Sequence, residues 1–261
     1  QTSPTSTATF NNISLTNNKL VGGFSNLYMS GNGTNTNLVF NGNLLTNSNN
    51  YGTYVSNVIG PKFIGNTIYA RINSTTSWGM FFTSTISNAN GTTEVSKNKI
   101  FNAGQYGIQV TSSNASVGRS VMSNNSIGGN FRNTSPNGIH FTTSNNWDVW
   151  FNSVLITNTA TSTTTAAAAY LGSGTGFDFR NNNLAVIDSN SGVNYLPFRS
   201  VSGVTFTPAL NYNNYYRAGT PTTLINVGGT NYTPANFNTA GGANSVSNSS
   251  GYVSGDEFIP T

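Results

Sequence analysis

Val95-Ser-Lys-Asn98-Lys-Ile100-Phe-Asn-Ala-Gly-Gln-Tyr-Gly107-Ile108-Gln-Val110 contains two short apolar runs, separated by polar residues and glycines. The pattern around Asn98 recurs along the chain. With that Asn as position zero, the series reads Asn18, Asn43, Asn66, Asn98, Asn125, Asn152, Asn182 and, more loosely, Asn213, at gaps of 23 to 32 residues. Three residues before each Asn stands Leu15, Phe40, Phe63, Val95, Met122, Val149, Phe179 or Leu210. Two residues after it stands Leu20, Leu45, Ile68, Ile100, Ile127, Val154, Leu184 or Tyr215. A period of this length signals stacked repeats, each too small to bury its own apolar face.

The apolar runs are short, β-branched or aromatic, and bounded by Gly, Asn and Ser, so they read as strands. No stretch sustains a helical period. The odd offset between −3 and +2 would put those side chains on opposite faces of a straight strand. Both point inward only if the chain bends near the Asn, and Asn tolerates the left-handed backbone a bend needs. Successive Asn side chains are then expected to stack in a hydrogen-bonded ladder. A second inward strand follows Gly52, Gly79, Gly107 and Gly138.

Strings such as VSKNKIFNAGQYGIQV, SVMSNNSI, NGIHF and FDFRNNNLAVI resemble the repeats of right-handed parallel β-helices of the pectate-lyase-like class. The tail from Asn211, NYNNYYRAG, through NYTPANFNTAGGANSVSNSSGYVSGDEFIPT resembles the end of β-helix domains in large secreted surface proteins of Bacteroidetes. The resemblance covers about residues 10–255. It implies an all-β, right-handed parallel β-helix of about seven to nine coils with an Asn ladder and a C-terminal cap. That fold hosts lyases, hydrolases, adhesins and passive stalks, so it does not settle function.

The organisation expected is a polar lead-in over 1–9, coils over 10–216, and a cap or linker over 217–261. Tyr212, Tyr215 and Tyr216 are expected to close the last coil, helped by Thr220–Thr261. The Thr/Ala-rich insertion after Asn152 reads as an extended loop or a looser strand. The chain of 261 residues begins with Gln and shows neither a signal peptide nor an apolar stretch of membrane-spanning length, so it reads as a piece of a larger exported protein.

Only 6% of residues are charged, against about 25% in a typical domain, while 44 are Asn. The net charge is +4 without a basic run or an aromatic–basic motif, which argues against nucleic-acid binding. There is no cysteine, hence no disulfide and no thiolate metal site. No cofactor motif is present.

One place gathers the sparse carboxylates. At position −4, Asp148 and Asp178 should lie on adjacent coils about 4.8 Å apart. At position −2, Trp150 and Arg180 should lie beside them. Such a set suits a saccharide site, since paired carboxylates serve in glycoside cleavage and, with Arg, could hold Ca²⁺ and a uronate. The plain alternative is a surface ion pair. A polygalacturonase-like Asp-Asp pair, a Gly-His-Gly and a lyase Arg/Lys motif are all missing.

His140 aligns with Gln109 as a lone outward His, short of a metal site. Glu94, Lys97 and Lys99 read as a solvated ladder around Asn98. Asp256–Glu257 reads as a linker contact, and Trp78 as a packing residue or a sugar platform. The leading expectation is a non-catalytic structural or adhesive module at the cell surface. Its partners would be glycans and neighbouring domains, with end-to-end assembly. A polysaccharide lyase or hydrolase is the alternative, and an ice-binding solenoid a weaker one.

Overall fold

A computed structural model describes residues 10–71, 74–158, 166–188, 195–219 and 221–248. The lead-in 1–9 and Asp256–Glu257 lie outside these. The protein is all-β, 59% strand, and forms a parallel β-solenoid of about 7 turns. No helix among the described residues is long and apolar enough to cross a membrane.

Each coil has three faces. The first carries the strand before the ladder Asn: Asn11–Thr16, the end of Ser25–Asn41, Lys62–Ile64, Glu94–Ser96, Ser120–Ser123, Trp147–Trp150, Phe177–Arg180 and Phe206–Asn211. The second carries the strand after it, from Lys19–Val21 through Lys99–Phe101 to Asn214–Arg217, in one eight-stranded sheet. The third includes Tyr51–Ile59, Trp78–Thr83, Tyr106–Thr111, Asn137–Thr142, Ala166–Leu171 and Tyr195–Ser200. Pairing from coil to coil is parallel and keeps the repeat frame, as in Glu94↔Val121 and Ile100↔Ile127. The end of the Thr/Ala insertion therefore supplies a full third-face strand, with Ala169 paired to Ile139 and Phe198.

The −3 and +2 side chains meet inside, and from Phe63 to Phe179 and from Leu45 to Tyr215 these positions are fully buried. Leu15 and Leu20, on the first coil, are half-buried, because that coil pairs on only one side among the described residues. Glycine at the second position of these third-face strands, Gly52, Gly79, Gly107 and Gly138, is a steric necessity. A Cβ on Gly107 would stand 2.4 Å from Ile127 Cγ2 and 2.5 Å from the Gly138 carbonyl oxygen.

The ladder runs unbroken from Asn18 to Asn213. At each interior step a side-chain Oδ1 accepts from the backbone N–H and the Nδ2 of the Asn one coil earlier. For Asn98 Oδ1 both donors belong to Asn66, at 3.0 and 3.0 Å. From Asn43 onward each Nδ2 also donates to the carbonyl of the −3 residue one coil earlier, as Asn98 does to Phe63 at 2.8 Å. The bend is not made by the ladder Asn itself. The left-handed residue is the one before it: Asn17, Gly42, Gly65, Lys97, Asn124, Phe151, Asn181 or Tyr212. The ladder Asn must keep its carboxamide inward, so its predecessor absorbs the turn.

The C-terminal end is capped. Ser245 Oγ accepts from the Asn213 N–H at 3.1 Å and donates to the Gly241 carbonyl at 2.7 Å, closing the ladder. Phe237 packs edge-on against the buried Tyr215 ring, beside the short helix Asn238–Gly241. Of the three tyrosines only Tyr215 does this work. Tyr212 is 53% exposed, and Tyr216 packs outside the core with Phe101, Leu155 and Ala185. Ile225–Val227 adds a third-face strand to Tyr195–Ser200 and turns back as an antiparallel hairpin with Thr230–Tyr232.

Candidate functional site

Parallel register brings the four first-face residues together. Asp148 pairs with Asp178, and Trp150 with Arg180. The Arg180 guanidinium donates through Nη2 to Asp178 Oδ2 at 2.5 Å and lies over the Trp150 ring at 5.8 Å. The sequence reading missed a fifth member. Arg119 donates through Nε to Asp148 Oδ1 and through Nη2 to the carbonyls of Trp147 at 2.9 Å and Gly176 at 2.6 Å. It stands six residues before Asn125, just outside the strand that carries the aligned −4 and −2 positions. An extension of that alignment by two positions would have found it.

Although their strand face points away from the core, both carboxylates are covered: Asp148 is 7% and Asp178 2% exposed. Burial pushes the Asp148 carboxyl above its ordinary range, and the neighbouring Asp178 charge adds to this. The Arg119 hydrogen bond and charge, and more weakly Arg180, pull the other way. The hydrogen bond from Arg180 to Asp178 raises the guanidinium pKa further. Among the described residues Asp178 Oδ1, Arg180 Nε and Trp150 Nε1 are buried without a hydrogen-bond partner. The arrangement is two carboxylate–guanidinium pairs side by side, with one face of the Trp150 indole closed by Arg180. No group of three or more His, Cys, Asp or Glu capable of holding a metal occurs among the described residues.

His140 is in register with Gln109, but it is not an exposed side chain. It is 7% exposed and lies between the rings of Tyr106 at 4.9 Å and Tyr170 at 5.0 Å. Burial lowers its pKa to about 4. It belongs to an aromatic row on the outer third face that the sequence reading missed apart from Trp78. Tyr28 stacks on Tyr54 at 4.5 Å, and Trp78 meets Tyr51 and Phe81 edge-on. Trp78 continues to Tyr106 at 5.3 Å, and Arg199 closes the row over Tyr170 at 5.8 Å. The signal was in the sequence as aromatic-Gly-x-aromatic, in Tyr51-Gly-Thr-Tyr54 and Trp78-Gly-Met-Phe81. These ring faces and edges are largely spent on one another. Trp78 also donates through Nε1 to Gln105 Oε1 at 3.1 Å, so it is a packing member of this row.

Glu94 accepts from Ser96 Oγ at 2.7 Å, while Lys97 and Lys99 are exposed at and after the corner. These three form no ion pair, since the pairs among the described residues are Arg119–Asp148 and Arg180–Asp178. Two surface concavities lie elsewhere, one of about 620 Å³ beside Phe24, Asn49 and Arg71, the other of about 310 Å³ beside Ile13, Val39 and Lys62. Neither is lined by the carboxylates. No known protein family, curated protein or solved structure matches the chain.

Proposed function

We propose that the protein is a non-catalytic structural and adhesive module of a larger extracellular surface protein, similar to the β-helix domains of Bacteroidetes surface proteins and of the pectate-lyase-like class. The observation that carries this is the pairing of each converging carboxylate with its own guanidinium. Acid–base cleavage of a glycoside needs one carboxyl that holds a proton near the working pH and another free to attack or to activate water. A carboxylate bonded to an adjacent guanidinium is oriented by it, and the bonded oxygen is occupied rather than presented to a substrate. The laddered, capped coil stack supports the spacer role, because every coil is tied to the next by backbone and side-chain bonds alike.

One observation favours the enzymatic alternative: burial and the Asp178 charge raise the Asp148 pKa, the direction an acid catalyst requires. Reducing-end release from a broad polysaccharide panel, with and without Ca²⁺, separates the two. Wild type, Asp148→Ala and Asp178→Ala should all remain at the level of the blank. Release by the wild type that disappears in either variant would establish cleavage and overturn the proposal.

A further inference from the structure

The corner before the ladder Asn holds a column of five exposed side chains on successive coils: Lys97, Asn124, Phe151, Asn181 and Tyr212. All five have left-handed backbone, with φ of 58, 55, 56, 57 and 55°. Asn suits this conformation at little cost, whereas Phe and Tyr are genuine outliers there. Core packing does not account for them, because Phe151 is 56% and Tyr212 53% exposed. Strain of this kind persists where it serves a purpose.

The column is continuous. The Phe151 N–H donates to the Arg180 carbonyl at 3.4 Å, and Arg180 is in register with Asn211. Phe151 and Tyr212 are therefore two coils apart, about 10 Å along the axis at twice the strand spacing. The Asn181 amide lies between them, and the Asn124 amide stands one coil before Phe151. Neither amide makes a side-chain hydrogen bond among the described residues. The column thus alternates amide, aromatic, amide, aromatic, with its one charge at the far end.

We propose that this corner binds a neutral, extended, β-1,4-linked polysaccharide lying parallel to the solenoid axis. In such a chain each sugar is turned over relative to the last, so the same apolar ring face recurs at every second unit. Two aromatic rings spaced by two coils match that repeat. The intervening amides supply both donors and acceptors for the hydroxyls. The paucity of charge favours a neutral chain over a uronate. The proposal rests on the adhesive reading and gives it a ligand class and a surface.

Binding of cellohexaose and chitohexaose to the wild type, Phe151→Asn, Tyr212→Asn and Lys99→Gln, an exposed second-face residue, is measured by calorimetry, with α-linked maltohexaose as the geometric control. Asn fits the left-handed corner, so the two corner variants should stay folded, which circular dichroism checks. The expected result is binding of at least one β-linked hexamer and none of maltohexaose. Each corner variant should weaken it about tenfold, the loss of one stacked ring, while Lys99→Gln leaves it unchanged. No binding by the wild type, or equal binding by folded corner variants, would overturn the proposal. Cleavage of the probe, read by chromatography of the same mixtures, would instead overturn the non-catalytic reading and leave the corner assignment to stand or fall on the affinities.

Discussion

Replacing Asn98 with Ala should be among the costliest single changes in the protein. Its carboxamide is fully buried and makes four hydrogen bonds. Without it the Asn66 N–H and one hydrogen of Asn66 Nδ2 lose their acceptor, and the Phe63 carbonyl loses its side-chain donor. Asn125 Oδ1 keeps the Asn98 backbone N–H at 3.0 Å, so it is not orphaned. The two orphaned donors at about 1–3 kcal/mol each would cost ~2–6 kcal/mol, while the Phe63 carbonyl stays within its strand pairing. A water admitted to the vacated space offsets part of this, which places the expectation in the lower half, ~2–4 kcal/mol. The internal control is Asn18→Ala at the exposed first coil. No donor reaches Asn18 Oδ1 among the described residues, and its backbone bond to Asn43 Oδ1 at 2.8 Å survives the substitution, so the loss should be below ~1 kcal/mol. Urea denaturation followed by circular dichroism measures both, with the slope watched because stacked repeats can lose two-state behaviour. A cost for Asn98→Ala no larger than that for Asn18→Ala would refute the ladder as a source of stability.

Phe151→Asn should stabilise the fold by about 1 kcal/mol, since an exposed ring contributes little and Asn relieves the left-handed strain; a lower midpoint in thermal denaturation would count against that strain. His140 makes stability depend on pH. Its folded pKa of about 4 lies below the ordinary 6.5, so the unfolded chain binds the extra proton first. Its contribution is complete above about pH 6.5 and is lost as pH falls toward 4, by roughly 3 kcal/mol at most. Asp148, shifted upward, gives a smaller change of opposite sign. His140→Phe keeps a ring between Tyr106 and Tyr170 and should flatten the profile of midpoint against pH; an unchanged profile would place the titration elsewhere.

The solenoid was legible because its determinants repeat. One Asn, one apolar residue three before it and one two after it define each coil, and stacking turns that frame directly into register. Asp148 beside Asp178, and Trp150 beside Arg180, followed from the same arithmetic. What the frame could not supply was anything set by side-chain reach. Arg119 bonds Asp148 from outside the aligned positions, and its reach buries a carboxylate whose strand face points outward. His140 was placed on the correct face but not between two tyrosines, because Tyr106 leans across from three residues before its register partner Gln109. The left-handed corner was assigned to the ladder Asn rather than to its predecessor. Both are Asn at Asn17–Asn18, Asn124–Asn125 and Asn181–Asn182, and Gly42, Gly65, Lys97, Phe151 and Tyr212 separate the two roles.

The most direct test of the central claim asks whether the paired carboxylates hold the fold or perform chemistry. Thermal denaturation and reducing-end release are measured on the same four proteins: wild type, Asp178→Asn, Arg180→Gln and the double variant. A structural pair predicts that each single change destabilises, that the double variant loses less than the sum by about 1–2 kcal/mol, and that no protein releases reducing ends. Additive stability effects, together with wild-type cleavage that Asp178→Asn abolishes, would contradict the account.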